Sequence, residues 1–346
     1  MGVWYATREQ LKDALDFKGT SVNDEQIDRA LEDSSRSVEG LLNRTFAPTI
    51  ATRKFDYPNW QYTRAWTLYL DQNELISVTT ITSGGIVIPA ANYFLEPNDS
   101  GPPYSSISLD LSKVSAFTAN AGTFQQSISV TGLYGYRDDR ASDGTTLTAD
   151  ITSSATSANV SSSARIGVGS LLIIDSERMT VTDRSLLSTG QTLQTPVGAT
   201  LPEQTIAVTS GAVFSKREWI TLDAETMKIV DIAGNNLIVK RAWNGSTLAA
   251  HSGSTIYAPR TLTLTRAALG TTGASHTSGT AVARQTFAPH ALALAEAINL
   301  VEQEQSGLAR TIGSGDNVRN ASGAGLADLR ARTSRAYGRN ARVWTP

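Results

Sequence analysis

The chain has 346 residues, 40% hydrophobic and 18% charged, with a formal net charge of −2. That is more than one ordinary domain and enough to bury a core, and it excludes a general attraction of the whole chain to polyanions. There is no cysteine, hence neither a disulfide framework nor a thiolate metal site, and no apolar stretch has the length of a leader or a membrane span, so the protein is expected to be made and used without export.

MGVWYA carries Ala6 where the myristoylation pattern asks for Ser or Thr. TREQLKDALDFKG (7–19) predicts a first helix, with Thr7 as cap, Gln10 reaching back, Leu11, Ala14 and Leu15 on one face, and Gly19 as its stop. A second helix follows from Asn23, with Ile27, Ala30, Leu31, Ser34, Val38, Leu41 and Leu42 at helical spacing and Asp24 and Glu25 in its first turn. From Ala51 the texture changes to alternating Thr, Val, Ile and Tyr: TRKFDYP, WTLYLDQ, LISVTTITSGG, IVIPAANYFLEP, ISLDLS and SISVTGLYGY predict strands, with Gly84-Gly85 as a hairpin turn.

Residues 141–286 are poor in charge and rich in Thr, Ser and Gly, an all-β composition. They also contain a repeat. DSERMTVTD (175–183) is nearly rewritten as DAETMKIVD (223–231), which pairs Asp175 with Asp223 and Glu177 with Glu225. LIVKRAWNGSTLAAHSGSTIY (237–257) matches LTLTRAALGTTGASHTSGTAV (262–282), which pairs Arg241 with Arg266, His251 with His276 and Thr255 with Thr280. The order first half, first half, second half, second half describes two similar β units, one nested in the other, and points to duplicated structural modules.

At Pro289 a helix resumes, with Ala291, Leu294, Ala295, Ile298 and Val301 as its apolar stripe. A glycine-rich link leads to a short basic helix whose apolar contacts are Leu326, Leu329 and Tyr337. From Gly307 to Pro346 there are seven arginines, no lysine and two acids, a net of +5. Such an end either meets an acidic surface or nucleic acid, or is simply solvated.

The Asp175/Glu177 and Asp223/Glu225 pairs are spaced to share a strand face, which suits acid–base work, a hard cation, or partnership with Arg241 and Arg266. His251 and His276 lack the companion ligands of a metal site and suit the closing of a β-turn, and His290 beside a helix start suits the surface. No phosphate-loop, dinucleotide or nucleophile-elbow motif occurs. No catalytic residue, metal or cofactor is expected.

With 141–286 set aside, the remainder carries I-x-x-A-L-x-x-x-x-x-x-V-E-x-L-L-x-R-x-F (Ile27, Ala30, Val38, Glu39, Leu42, Arg44, Phe46), then Leu75, Ile76, Val78 and Ile81, then Val130, Gly132, Gly135 and Tyr136, then Pro289, Ala291, Leu294 and Ala295. In that order they resemble the head–tail connector, or adaptor, proteins of long-tailed bacteriophages. The resemblance implies an α+β fold: a helical connector core with a small β segment, here joined by an inserted all-β region of two nested units. It implies a connector core over 1–140, the insertion over 141–286, a core helix over 287–306 and a flexible basic tail over 307–346.

It further implies a ring, commonly of twelve subunits, in the virion neck between capsid and tail, assembled after synthesis in the host cytoplasm. Its partners would be the portal protein, a stopper or tail-completion protein, other copies of itself, and packaged DNA passing through the channel without sequence readout, with no membrane involved. Portal contact would fall to Leu326, Leu329, Arg330, Arg332, Arg335, Tyr337, Arg339, Arg342 and Trp344. Other readings stay open: a decoration or glycan-binding protein acting through the β insertion, a cell-wall hydrolase using the Asp/Glu pairs, or the stopper one step further along the neck.

Overall fold

The computed structural model describes residues 2–15, 23–57, 64–120, 122–200, 202–305, 311–312, 319–320 and 324–339. Strand accounts for 38% and helix for 22%. The helices are α1 (Arg8–Ala14), α2 (Asp24–Leu42), α3 (His290–Gln305) and α4 (Ala324–Tyr337). The expected helical connector core with a small β segment is therefore corrected, because large antiparallel sheets make up most of the fold. The physical reason is that the β-branched and aromatic runs after residue 48 all find antiparallel partners, so the segment outside the insertion is itself mainly sheet.

Contacts divide the chain into two compact units, Met1–Val38 with Arg140–Thr333 and Glu39–Asp139 with Ser334–Pro346. This division groups α1, most of α2 and α3 with the β region of 140–285 rather than with the strands that precede it.

The smaller unit contains β1 (Thr49–Phe55), β2 (Thr67–Tyr69), β3 (Leu75–Ser83), β4 (Ile86–Ile88), β5 (Tyr93–Glu96), β6 (Ser106–Leu109) and β7 (Ile128–Tyr134). They form one sheet in the order β1-β7-β3-β4 and another in the order β2-β6-β5. Leu68, Leu75, Ile81, Ile107, Ile128, Val130 and Tyr134 form their shared core. Ser83 pairs with Ile86 across Gly84 and Gly85, whose φ of 56° and 83° is the left-handed geometry a two-residue hairpin needs. Within this unit, Arg44 is salt-bridged to Glu74 at 2.8 Å and donates to the carbonyl of Tyr337, in its C-terminal segment, at 2.7 Å.

The larger unit holds a ten-stranded sheet: β8 (Arg140–Thr146), β9 (Ser157–Asn159), β10 (Leu171–Ile174), β11 (Glu177–Thr192), β12 (Glu203–Ala207), β13 (Trp219–Leu222), β14 (Glu225–Ala233), β15 (Asn236–Lys240), β16 (Thr255–Thr265) and β17 (Ala281–Gln285). Two separate cores lie along it. The outer module packs Leu147, Ile151, Leu172, Met179, Val181, Leu262 and Val282 among others. The inner module packs Leu193, Val197, Ile220, Met227, Ile229, Leu237 and Ile256. β11 carries the chain from the outer core to the inner one and β16 brings it back. The two strands pair antiparallel from Thr180–Thr265 to Thr192–Thr255, with register shifts on the way. Pro259, which has no N–H to give a ladder, sits in one of those irregularities, where such a residue is tolerated.

In the same unit, Trp4, Ala6 and Leu11 pack with Ile27 and Leu31 of α2, Val168, and Ala297 and Val301 of α3. α1 starts with the expected capping box of Thr7 and Gln10 and has ended by Leu15, and Gly19 lies outside the described residues. On α2 the expected apolar face is buried, except that Leu41 is exposed and Ser35 is buried instead, its hydroxyl turned back onto the Leu31 carbonyl. On α3 the buried face is Leu292, Ala293, Glu296, Ala297 and Val301, about one position round from the expected stripe. The helix accommodates a buried carboxylate there because Arg330 binds both its oxygens.

The N-terminal segment is seated on the glycines that precede β10. The Arg8 N–H donates to the Val168 carbonyl at 3.1 Å, the Val168 N–H to Glu9 at 2.8 Å, and Glu9 also bonds Arg184 at 2.6 Å. Gly169 has φ +91°, and a Cβ there would overlap the Trp4 ring. Gly169→Ala must therefore adopt a left-handed backbone and displace Trp4, a cost of about 2 kcal/mol or more. Urea unfolding of the full chain measures this, and an unchanged midpoint would contradict the packing described.

Candidate functional site

The duplicated motif builds the same cluster twice. In each module a strand ends, a two-residue turn opens with an aspartate of positive φ (Asp175, 53°; Asp223, 52°), and the next strand begins on a glutamate. Aspartate is among the few residues that tolerate this conformation. The glutamates are fully buried, and each is paired with the arginine that directly follows a later strand, Arg241 after β15 and Arg266 after β16.

In the outer module, Glu177 Oε1 accepts from Arg266 Nε at 2.8 Å and from the Ala267 N–H at 3.0 Å. Its Oε2 accepts from Arg266 Nη2 at 2.7 Å and the Ala274 N–H at 2.8 Å, and lies 3.1 Å from His276 Nε2. His276 Nδ1 is 2.6 Å from Asp175. In the inner module, Glu225 Oε1 accepts from Arg241 Nε at 3.0 Å and the Ala242 N–H at 2.9 Å. Its Oε2 accepts from Arg241 Nη2 at 2.6 Å and the Ala249 N–H at 3.0 Å, and lies 2.9 Å from His251 Nε2. His251 Nδ1 is 2.7 Å from Asp223. All eight sequence-predicted positions of the repeat are thus brought together, four in each module.

Each arginine also clamps backbone. Arg266 donates to the carbonyls of Thr152, Ala155 and Ala274, and Arg241 to those of Gly198 and Ala249 and to the Gln204 amide oxygen. The histidines exchange paired backbone bonds with Ile151 and Val197. The cluster therefore fastens a long loop and an N-terminal hairpin to each small β core. It leaves neither glutamate oxygen free for a substrate or cation, and no metal-binding group of three acidic, His or Cys ligands exists among the described residues.

Burial opposes ionisation of Glu177, but Arg266, the two backbone N–H groups and His276 outweigh it and hold the carboxyl down at about 2. Burial is likewise overcome by Arg241, Ala249, His251 and Ala242 at Glu225, whose pKa is also lowered. Asp223 is lowered by His251 and Ser254.

The sequence match slips by one residue past the histidines. The Ser254 carbonyl accepts from the Leu193 N–H, and the Thr280 carbonyl from the equivalent Leu147 N–H. Ser254, not Thr255, is the counterpart of Thr280, and the outer loop holds one extra residue before the positive-φ glycine, Gly279 against Gly253. Sequence reasoning also missed a third buried pair. Glu218 takes two bonds from Arg260, at 2.9 and 2.8 Å, and one from the Ser163 N–H at 2.9 Å. Its signal was present: Glu218 falls where the other module has Ser170, just before the aligned strands.

The residues expected to contact a portal lie on and after α4. Arg332 and Arg335 are exposed, and Leu326, Leu329, Arg330, Tyr337 and Arg339 are partly buried. Arg330 is engaged within the chain by Glu296 at 2.5 and 2.6 Å, and Arg332 pairs with Asp328 at 3.0 Å. Arg342 and Trp344 lie outside the described residues. His290, expected at the surface, is largely covered and sits 3.1 Å from Gln10. No family model, curated protein or solved structure matches the chain.

Two tests follow from the clusters. Arg241→Met leaves Glu225 buried with its main partner gone, and should lower stability by about 3–5 kcal/mol in urea unfolding. A loss below about 1 kcal/mol would show that the cluster does not hold the module. The second test is pH. A carboxyl whose pKa is depressed on folding stabilises above its unfolded value, so the contribution of Glu177 is complete above about pH 4.5 and fades as pH falls toward 2. Unfolding midpoints should decline through that window, and Glu177→Gln should start lower and decline less steeply.

Proposed function

We propose that the chain is a structural subunit of a bacteriophage particle, a head–tail adaptor that assembles as a ring beneath the portal, extends the DNA channel and offers a platform to the stopper or tail. The observation that carries the reading is the closure of the repeated carboxylates. Glu177 and Glu225, the groups best placed for acid–base chemistry, spend both oxygens on arginine, histidine and backbone N–H groups within their own modules. That is the use of charge expected in a load-carrying scaffold, where a buried ion pair fixes one arrangement of loops. It favours an assembly role over a hydrolase.

The adaptor reading takes its particular form from the order of the motifs quoted above and from the basic C-terminal helix. Arg335 is exposed and makes no side-chain bond with any described residue, and Arg332 is exposed with only a surface pair to Asp328. Exposed pairs of this kind contribute little to stability, so both guanidinium groups can be given up to a partner's acids. Identical subunits that meet head to tail close into a ring when the rotation between them permits. DNA in such a channel needs no base recognition and no strongly basic wall, in keeping with a chain of net charge −2.

The test is solution mass by native mass spectrometry, with the chain alone and mixed with the portal protein of the same particle. The reading expects ring-sized association on the portal. Reversal of the two exposed charges, Arg332→Glu with Arg335→Glu, should weaken it by roughly tenfold or more while leaving the thermal midpoint in place. A chain that stays monomeric and never joins the portal overturns the reading.

A further inference from the structure

The larger unit carries an open pocket of about 560 Å³ that the repeated clusters do not use. That volume falls in the range of small-molecule sites. Four cationic side chains line it: Arg165 ahead of β10, Arg217 ahead of β13, Lys228 on β14 and Arg284 on β17. Asp13 of α1 is the only carboxylate of the lining and is taken by Lys228 at 2.7 Å. Arg284 and Arg165 share the carboxylate of Asp143, at 2.6 and 3.5 Å. Four cations set against Asp13 and Asp143 leave a local surplus of two positive charges in a chain whose total is −2. The rest of the lining mixes polar groups such as Gln10 and Gln285 with an aromatic part, Trp4 and Tyr5, the Tyr5 ring centroid lying 4.8 Å from that of Phe287 at a tilt of 46°.

Arg217 makes the case specific. Its position is the counterpart of Gly169 in the other module: both N–H groups donate at 2.8 Å to the equivalent strand residue, Ile229 and Val181. Both have a left-handed backbone, with φ of 75° and 91°. The outer module uses the residue that adopts this conformation without strain. The inner module keeps an arginine there, and its guanidinium bonds to no described residue. Strain retained for an unpartnered side chain that lines a cavity is a mark of a binding role. His290, in the same wall, has its pKa lowered first by burial and then by Arg284.

We propose that this cavity binds a small phosphomonoester, with the dianionic phosphate held by Arg217, Arg165 and Arg284 and the organic body against Tyr5, Phe287 and Trp4. Guanidinium forks match phosphate oxygens in pairs, and two surplus charges suit a dianion. The volume exceeds what a bare phosphate fills, which is why the aromatic wall enters the assignment.

The experiment is calorimetric titration of the full-length chain with phenyl phosphate and, separately, with inorganic phosphate. Phenyl phosphate should bind, and inorganic phosphate should bind at least several-fold more weakly. Arg217→Gln and Arg165→Gln, both at exposed positions, should each weaken phenyl phosphate by roughly tenfold with an unchanged thermal midpoint. No heat with phenyl phosphate at millimolar concentration overturns the proposal, as does equal affinity in the Arg217→Gln variant. Equal binding of the two ligands overturns the role given to the aromatic wall. The site does not depend on the adaptor reading, since none of these measurements involves a portal or an assembled ring.

Discussion

A carboxylate removed from water must have its lone pairs answered by donors, and the architecture of 140–285 is organised around meeting that demand twice. Glu177 and Glu225 each sit at the first residue of a strand and gather the arginine that directly follows a later strand, a histidine from a loop and two backbone N–H groups. Each module has a small apolar core, and modest cores leave loops weakly determined. The carboxylate supplies the determination: a displaced loop would strand a charge in a dry interior, a far larger penalty than the loss of one apolar contact. Non-glycine residues accept left-handed backbone at Ala242, Asn244, Ala267 and Leu269 within these loops, which shows how strongly the surroundings dictate their path.

The two modules are tied where the chain crosses between them. β11 and β16 run through both, and the irregular stretch of β16 at Pro259 is followed by Arg260, which turns onto Glu218 of the inner module while the Ser163 backbone of the outer module binds the same carboxylate. One ion pair thus has a contributor from each side of the crossing. The module cores remain separate, and what joins them is a strand pair and a carboxylate rather than shared apolar packing.

Much of this was legible in the sequence because the repeat conserves charge and spacing together. A glutamate two residues after an aspartate, written twice, along with an arginine and a histidine ten residues apart, written twice, is a pattern in which the partners can be read from what recurs. The single-residue slip at Gly253 and Gly279 was not legible, since Thr255 and Thr280 are the same letter and only the hydrogen bonds to Leu193 and Leu147 tell them apart. The strand runs were legible one by one, those holding the three-residue β2 and β4 included, but the weight of sheet was not, because the pairing that joins such short strands into complete sheets is a tertiary property that local alternation does not carry. The cavity residues were invisible for another reason. Arg165, Arg217, Lys228 and Arg284 are spread over 120 positions and look like ordinary surface charge until the fold assembles them. The portal-facing residues lie on a helix whose charges are already partly spent at home, as Arg330 on Glu296 shows.

The nesting has an evolutionary corollary. The inner module enters and leaves through one antiparallel pair, β11 with β16, at Ser185 opposite Thr261, the positions that the repeat aligns with the Ala233–Asn236 pair closing β14 onto β15. A fold with that doorway is recursive in form: a hairpin turn across the same two residues would close the outer module without its guest, and a further copy could be spliced into the inner module at its own equivalent position. Growth by such internal grafting lengthens the protein outward without disturbing the two chain ends. It would turn one small sheet-forming unit into an arm whose reach is set by how many times the graft is repeated.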